Sequence, residues 1–516
     1  MADSTTTAST EVISEVIKPN ILTGRRRIVC AQQAITAENA PALLERSLLV
    51  HSLNSSDCNY LHNYFLGRQP VLNREKPVRP EIRNVVVENR AYQITKDRAD
   101  ALAGEPITYS AHANGNKHGE DAQPASDEMS HAVQHLNDCC DAADKHACDL
   151  EIVQWLCECG VAYRLVLPNP QLESEPDRPF LTYSLDPRCT FVVYSNDVYR
   201  RPLYAATAVK DELNGEIIHT MYTDGSVFTI IGGNVVSTAP NPLGAVPIVE
   251  YVANSERMGV FEAVLSLFDA INEVESNRVD GIAQFVQSLM VLENVDLDAE
   301  EFEQLLKLGC LKIKSTDDNK ASVQLLTAEL NQDQTQTLVD ALYKTALSIC
   351  GMPFNVGGSG STSDTGAAVT MRDGWSNSES RCKETEIYFK RSERAFLALA
   401  LKVMSTTEQG FALSPMNIEI KFTRRNYEAI QSKTQVLTTL LGSGKVHPRL
   451  AFEHCGMFAD PEAAYDLSQS YVDEQAAKQV ELFQQKSSAQ NEGDDDNDGG
   501  TVSAAGNEDA TPVNKA

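Results

Sequence analysis

Residues 259–290 read GVFEAVLSLFDAINEVESNRVDGIAQFVQSLM, and residues 334–353 read QTQTLVDALYKTALSICGMP. In the first stretch Val260, Val264, Leu267, Ile271, Val274, Arg278, Ile282, Phe285 and Leu289 recur every three or four residues, which winds them onto one stripe of a helix about 30 residues long. A helix of that length needs a large partner surface. The second stretch repeats the period with Leu338, Leu342, Thr345 and Ile349, then stops at Gly351 and Pro353, residues that end helices. A small-residue loop follows at 355–366, and a third helical pattern, broken near Gly374, carries Ile387, Arg391, Arg394, Phe396, Leu399 and Val403. The loop is therefore expected to hang between two helices as an exposed tip.

With 516 residues, 42% apolar and 22% charged, the chain has the composition of an ordered globular protein of about two or three domains. Its formal net charge is −28. Grip on nucleic acid comes from Lys and Arg neutralising phosphates, so a chain this acidic repels DNA on average and should not hold it tightly. Twelve cysteines behind a polar start with no secretory signal suggest a reducing compartment with free thiols. No apolar run approaches the ~20 residues of a membrane helix.

Taken in order, residues 1–42 read as a disordered arm in which Arg25-Arg26-Arg27 are solvated, with order beginning near Pro41. Helical patterns at 43–66 and 91–103 flank a proline-studded connector, and 107–110 reads as a strand. From Asp127 one helix is expected to carry Met129, Val133, Leu136, Cys140, Ala143, Ala147, Leu150, Val153 and Cys157 as a single stripe. Past Gly160 the period changes to two. Strands are expected at 162–167, 180–185, 191–194 and 204–210, with type I′ hairpins at Asn214-Gly215 and Asp224-Gly225 giving an antiparallel meander over 203–231. Residues 291–330 form a small α/β insert with strands at 311–314 and 322–326. Beyond a strand at 417–422, helices at 427–441 and 447–483 meet at Gly442-Ser443-Gly444, and the acidic end has almost no apolar content.

Signatures of catalysis fail one by one. Gly442-Ser443-Gly444-Lys445 lacks the first glycine of a phosphate-binding loop, where Thr439 stands, and its Ser or Thr, where Val446 stands, so it reads as a helix-helix turn. Ser361 replaces the last glycine of a nucleophile elbow in Gly357-Gly358-Ser359-Gly360-Ser361. His131, His135 and Cys139 at i, i+4 and i+8, with His146 and Cys148, form a conceivable metal set. A straight helix brings only two ligands comfortably to one ion, and buried cysteines behave as small apolar residues. The expectation is therefore no catalytic residue, no metal and no cofactor.

The fold class is α+β. The order of helices and β-rich lobe, long helix, small insert, helix, glycine-rich loop, bent helix and helical end resembles the portal proteins of tailed bacteriophages, the SPP1-like family in particular. The resemblance is carried by YLHNYFLGRQ at 60–69, ITKDRADALAGEPITY within 84–109, NPLGAVPIVEYVANS at 241–255, GMPFNVGG and SDTGAAVTMRD within 350–373, and GKVHPRLAFEHCGMFAD at 444–460. It implies a portal-like architecture: a mixed α/β wing at 43–255, a stem helix at 256–290, a clip at 291–330 and a second stem helix at 331–350. A tunnel loop at 351–366 follows, then a long bent helix with the second part of the wing at 367–425, a helical crown at 426–485 and a disordered acidic tail at 486–516.

The same resemblance implies a homo-oligomeric ring of about twelve subunits at one capsid vertex, assembled in the host bacterial cytoplasm and kept in the virion. Double-stranded DNA would pass through it during packaging and ejection without tight binding. Implied partners are the terminase large subunit, the head-tail connector or adaptor, the scaffold and the major capsid protein, and no membrane. The tunnel loop would present Asn355, Gly357, Gly358, Ser359, Ser361, Thr362, Ser363, Asp364 and Thr365 to DNA, and the clip would meet partners through Asp298, Glu300, Glu301, Lys312, Lys314, Asp317 and Asp318. An acidic lumen and a loop without Lys or Arg suit a wall along which a polyanion slides. The alternatives are a metal-binding, nucleic-acid-processing enzyme of a mobile element built on the Cys/His helix, or a structural adaptor of another assembly.

Overall fold

The computed structural model describes residues 24–31, 34–77, 80–111, 127–286, 289–293, 322–326, 332–353, 375–408, 410–423, 430–458 and 461–491. The chain divides into two compact units, 1–427 and 428–516. Both helices and sheets build the first, and the chain is α+β.

The first unit opens with strand β1 (Ile28–Cys30) and helix α1 (Ala40–Phe65), which starts with a proline in its first turn and ends at Gly67, where φ is +83°. The described chain thus includes residues 24–31, ahead of Pro41, where order was expected to begin. Arg25, expected in a solvated arm, is buried: its Nη2 meets Glu262 Oε1 at 2.5 Å and its peptide N–H donates to Arg257 O at 3.0 Å. The peptide of Arg26 is read on both edges by the Asn54 amide, at 2.8 Å each way. Satisfied backbone and a paired guanidinium outweigh the local polarity that marked this stretch as an arm.

Helix α2 (Arg90–Ala103) is capped by Asn89, whose side chain accepts the Tyr92 N–H, and strand β2 (Ile107–Ala111) follows. The single long helix expected from Asp127 is two, α3 (Asp127–Ala142) and α4 (Lys145–Cys159). Asp144 breaks them, adopting a left-handed φ of 53° that an aspartate tolerates better than most residues. α4 ends at Gly160, φ +75°, where a Cβ would stand 2.5 Å from the backbone carbons of Arg257 and Met258. Gly160→Ala therefore combines a left-handed strain with a backbone clash, and it should lower the melting temperature by several degrees in a thermal unfolding scan.

Strands β3 (Val161–Pro168), β4 (Phe180–Leu185), β5 (Thr190–Ser195), β6 (Pro202–Lys210), β7 (Ile217–Thr223), β8 (Ser226–Ile231), β9 (Asn234–Pro240) and β10 (Ile248–Val252) build two sheets. One has the order β1-β5-β6-β7-β8-β9, with β1 parallel to β5 and every other pair antiparallel; the other is antiparallel β10-β3-β4. The expected meander is present, but its turns differ. Asn214-Gly215 sits in a longer loop closed on Asp211, whose carbonyl accepts the Gly215 N–H at 2.7 Å. Asp224-Gly225 is a two-residue turn without a positive φ, held by the Thr223 hydroxyl, which accepts the Ser226 N–H at 2.9 Å. Gly232-Gly233, with φ of +57° and +80°, has the two positive values of a type I′ hairpin and adds β9 to the sheet.

After a single 3-10 turn at Glu262–Val264 come helix α5 (Leu265–Val286), strands β11 (Leu289–Glu293) and β12 (Ser322–Leu326), and helix α6 (Gln332–Cys350). The expected 30-residue helix is shortened at both ends. At its start Arg257 takes a φ of +61° and Asn254 closes a loop on Met258, accepting its N–H at 3.0 Å and donating to its carbonyl at 2.9 Å. At its end Leu289 and Met290 pair antiparallel with Leu326 and Leu325 instead of continuing the helical stripe. Helix α7 (Trp375–Thr407) and strand β13 (Ile418–Phe422), antiparallel to β2, complete the unit.

α7 lays Phe389, Glu393, Phe396, Leu397, Ala400 and Met404 into the core beside β3 and β10. Glu393 is fully buried and satisfied: the hydroxyls of Tyr109 and Tyr251 each donate to it at 2.5 Å, and Lys145 Nζ lies 2.9 Å away. Lys145 and Arg164 share Asp149 behind it. Burial alone would push the Glu393 carboxyl up; the Lys145 and Arg164 cations outweigh it and hold the group well below the usual carboxylate range.

The second unit contains α8 (Ile430–Gly442), α9 (Pro448–Cys455) and α10 (Pro461–Asn491). The helix expected over 447–483 is split at Gly456, φ +61°, and α10 runs to Asn491, past the position where the acidic tail was expected to begin. Phe452 is its small core, stacked on Phe458 at 5.2 Å and edge-on to Tyr465 at 5.8 Å. Gly442-Ser443-Gly444 is the helix-helix turn expected, with the Ser443 N–H donating to Thr439 O at 3.0 Å.

Candidate functional site

α5 and α6 form an antiparallel pair. Near the start of α6, Arg278 donates to Gln336 Oε1 at 2.8 Å; at its far end the Cys350 thiol reaches Val260 O at 3.4 Å. The inner faces close on Phe268, Ile271, Val339 and Ala346, all buried. At the other end the β11–β12 ribbon carries the chain out and back, with Glu293 opposite Ser322. The loop residues Asn355 to Thr365 and the partner-contact residues from Asp298 to Asp318 lie outside the described residues.

The stripes do not point where a lone chain would need them. On α6 the buried row is Val339, Ala346, Leu347 and Cys350; of the row read from sequence, Leu338, Thr345 and Ile349 are exposed, whereas Leu342 is half-buried against the same core. Leu338 is 49% exposed and Ile349 48%. Of the stripe leading into α5, Val264 and Ile271 are buried, while Ile282 is 49% exposed and neighbouring Val279 36%. The helix pair therefore buries one apolar face internally and leaves Leu338, Ile349, Val279 and Ile282 at its surface. Acids dominate the pair, with Asp269, Glu273, Glu275 and Asp280 on α5 and Asp333 and Asp340 on α6, against Arg278 and Lys344.

The buried side of α5 turns polar in the middle, which periodicity of apolar residues could not register. Asn272, Ser276 and Asp280 lie at i, i+4 and i+8. Their side-chain oxygens accept the N–H groups of Glu88 at 2.8 Å, Val86 at 3.0 Å and Asn84 at 2.7 Å. The spacings match: four helical residues advance ~6.0 Å and two residues of extended chain ~6.6 Å. Asp280 also accepts from Arg74 and Lys76, at 2.9 and 3.0 Å. Burial opposes ionisation there, but the N–H and cationic donors prevail and hold its carboxyl down at about 2. The proline-studded connector is thus strapped to the central helix.

The Cys/His set is only partly assembled. His135 and Cys139 share a face of α3 and meet Glu408, which the sequence could not bring to them, since it lies 273 residues along the chain from His135. His131 is exposed. Cys148 turns to Thr182, 3.8 Å away, and His146 lines a small cavity with Asn137, Cys140, Lys145 and Asp149. Burial pushes the Cys157 thiol up to about 12, that of an inert core residue.

Among the described residues no helix is long and apolar enough to cross a membrane. The described chain is thus α+β, with an antiparallel helix pair joined at one end to a two-stranded ribbon. Residues 50–492 match the family described as phage portal protein, SPP1 Gp6-like, and the chain belongs to that family. It is 23% identical over 268 residues to the portal protein of Bacillus phage SPP1, a match covering 51% of this chain and 52% of that protein. The matched region thus spans about half the length of the curated relative.

Proposed function

We propose that this chain is the subunit of a closed ring of about twelve copies, set at one vertex of a tailed-phage capsid, through which double-stranded DNA enters on packaging and leaves on ejection. The observation that carries it is the exposed apolar surface of the helix pair, Leu338 and Ile349 on α6 with Val279 and Ile282 on α5. A monomer gains nothing from such a surface; a neighbour laid along it buries it. In this reading 256–290 and 331–350 are the stem, 43–255 and part of 367–425 the wing, 291–330 the clip, 351–366 the tunnel loop and 426–485 the crown. The clip meets the terminase large subunit and then the head-tail connector, while scaffold and major capsid protein surround the ring.

The net charge of −28 supports a conduit that repels DNA rather than grips it. Motive force comes from a separate ATPase. Electron microscopy of the purified chain down its axis, with native mass measurement, tests the reading: a closed ring of about twelve chains is expected, and a stable monomer at micromolar concentration overturns it. Deleting residues 357–365 should leave ring assembly intact, because the helix pair carries the packing, and should impair DNA packaging or retention in a packaging assay. Loss of rings in that deletion would make the loop a structural element instead.

A further inference from the structure

We propose that His135, Cys139 and Glu408 form a site for one zinc-type transition-metal ion, clamping α3 to the end of α7. The imidazole, thiol and carboxylate ligand atoms lie within 4.8 Å of one another. His135 Nε2 is 2.9 Å from Glu408 Oε2, and Cys139 Sγ is 3.9 Å from the same nitrogen. A tetrahedral ion with bonds of about 2.0–2.3 Å spaces its donors roughly 3.3–3.8 Å apart, so side-chain rotation alone closes the set. The room for that rotation exists, since the His135 and Glu408 side chains are 44% and 30% exposed.

Each ligand is placed by the fold. His135 and Cys139 are one helical turn apart on a common face. Glu408 is held at the end of α7 by its N–H, which donates to Met404 O at 2.8 Å. Phe411, edge-on to the His135 ring at 6.1 Å, and the buried Cys139 form an apolar floor, while the exposed sides of His135 and Glu408 leave the fourth position to water. One sulfur, one nitrogen and one oxygen donor suit zinc and exclude calcium and magnesium, which take oxygen sets. On binding, the Cys139 thiol gives its proton to solvent and the thiolate donates a pair to the ion; no electron is transferred.

The test uses the full-length chain, stripped with a chelator and titrated with Co2+ as the spectroscopic probe. Expected are one Co2+ per chain, a thiolate-to-cobalt charge-transfer band, displacement by Zn2+ and a higher melting temperature with Zn2+ bound. C139S should lose the band. H135A and E408Q, which alter partly exposed side chains, should melt like the parent without metal yet bind Co2+ at least tenfold more weakly; they decide the matter even if C139S folds poorly. Absence of the band in the parent, or a band of unchanged affinity in H135A and E408Q, overturns the site and assigns any thiolate signal to another cysteine.

Discussion

A chain carrying Leu338→Glu and Ile349→Glu together should be recovered as a monomer under conditions that give rings of the parent. Fully burying a Leu or Ile side chain contributes about 1.5–3 kcal/mol, and both are already about half covered in the subunit, so the pair contributes on the order of 1.5–3 kcal/mol per interface, before the cost of placing two carboxylates there. Each subunit of a ring presents this row once, and the loss recurs at every joint. The isolated fold should hardly notice, because both residues are about half exposed and surface substitutions mostly fall within ~0.5 kcal/mol. Size-exclusion with light scattering reads assembly, and a melt reads the fold. Rings that persist would move the interface away from α6; a monomer that also melts far lower would make the row part of the subunit's own core.

Glu393→Ala should have the largest effect on the subunit itself. The substitution leaves the hydroxyls of Tyr109 and Tyr251 without their acceptor and removes one of the two acids that neutralise Lys145 and Arg164. Breaking a buried ionic cluster by deleting one partner costs about 3–5 kcal/mol. The pH dependence has a definite sign. Because the folded carboxyl sits below its ordinary value, its contribution is complete above the ordinary carboxylate range and is lost as pH falls through the depressed folded value. The parent should therefore lose stability on acidification more steeply than the Ala variant over that window. Parallel acid limbs in denaturant titrations of the two proteins would remove Glu393 from this role.

Much of the fold could be read from local pattern. The helices ending at Gly67, Gly104 and Gly351, the strands β3 to β7 and the ribbon strand at Ser322–Leu326 are announced by period and by stop residues. What escaped was decided by partners distant in sequence. Arg25 looked solvated because Glu262 lies 237 positions away, and Leu289 and Met290 looked helical because their ladder partners are Leu326 and Leu325. Asp144 interrupts a stripe whose apolar spacing runs on undisturbed, and Gly456 breaks the single helix read over 447–483.

The surface of α6 followed a different logic. The row Leu338, Leu342, Thr345 and Ile349 was visible as a stripe, but a stripe does not say whether it is covered by its own chain or by another. The second row on the same helix, Val339, Ala346 and Cys350, is one step out of register with it, and only the folded chain tells the two apart. The polar row Asn272, Ser276 and Asp280 left no hydrophobic signal at all, although it binds residues 84–88.

That row has a mechanical corollary. Three side chains engage three alternate peptide groups like the teeth of a rack, so sliding the helix by a single residue disengages all of them together, with no intermediate position that keeps two. α5 and the connector must therefore travel as one stiff member. A displacement of α5 along its axis would carry residues 84–88 with it instead of shearing past them.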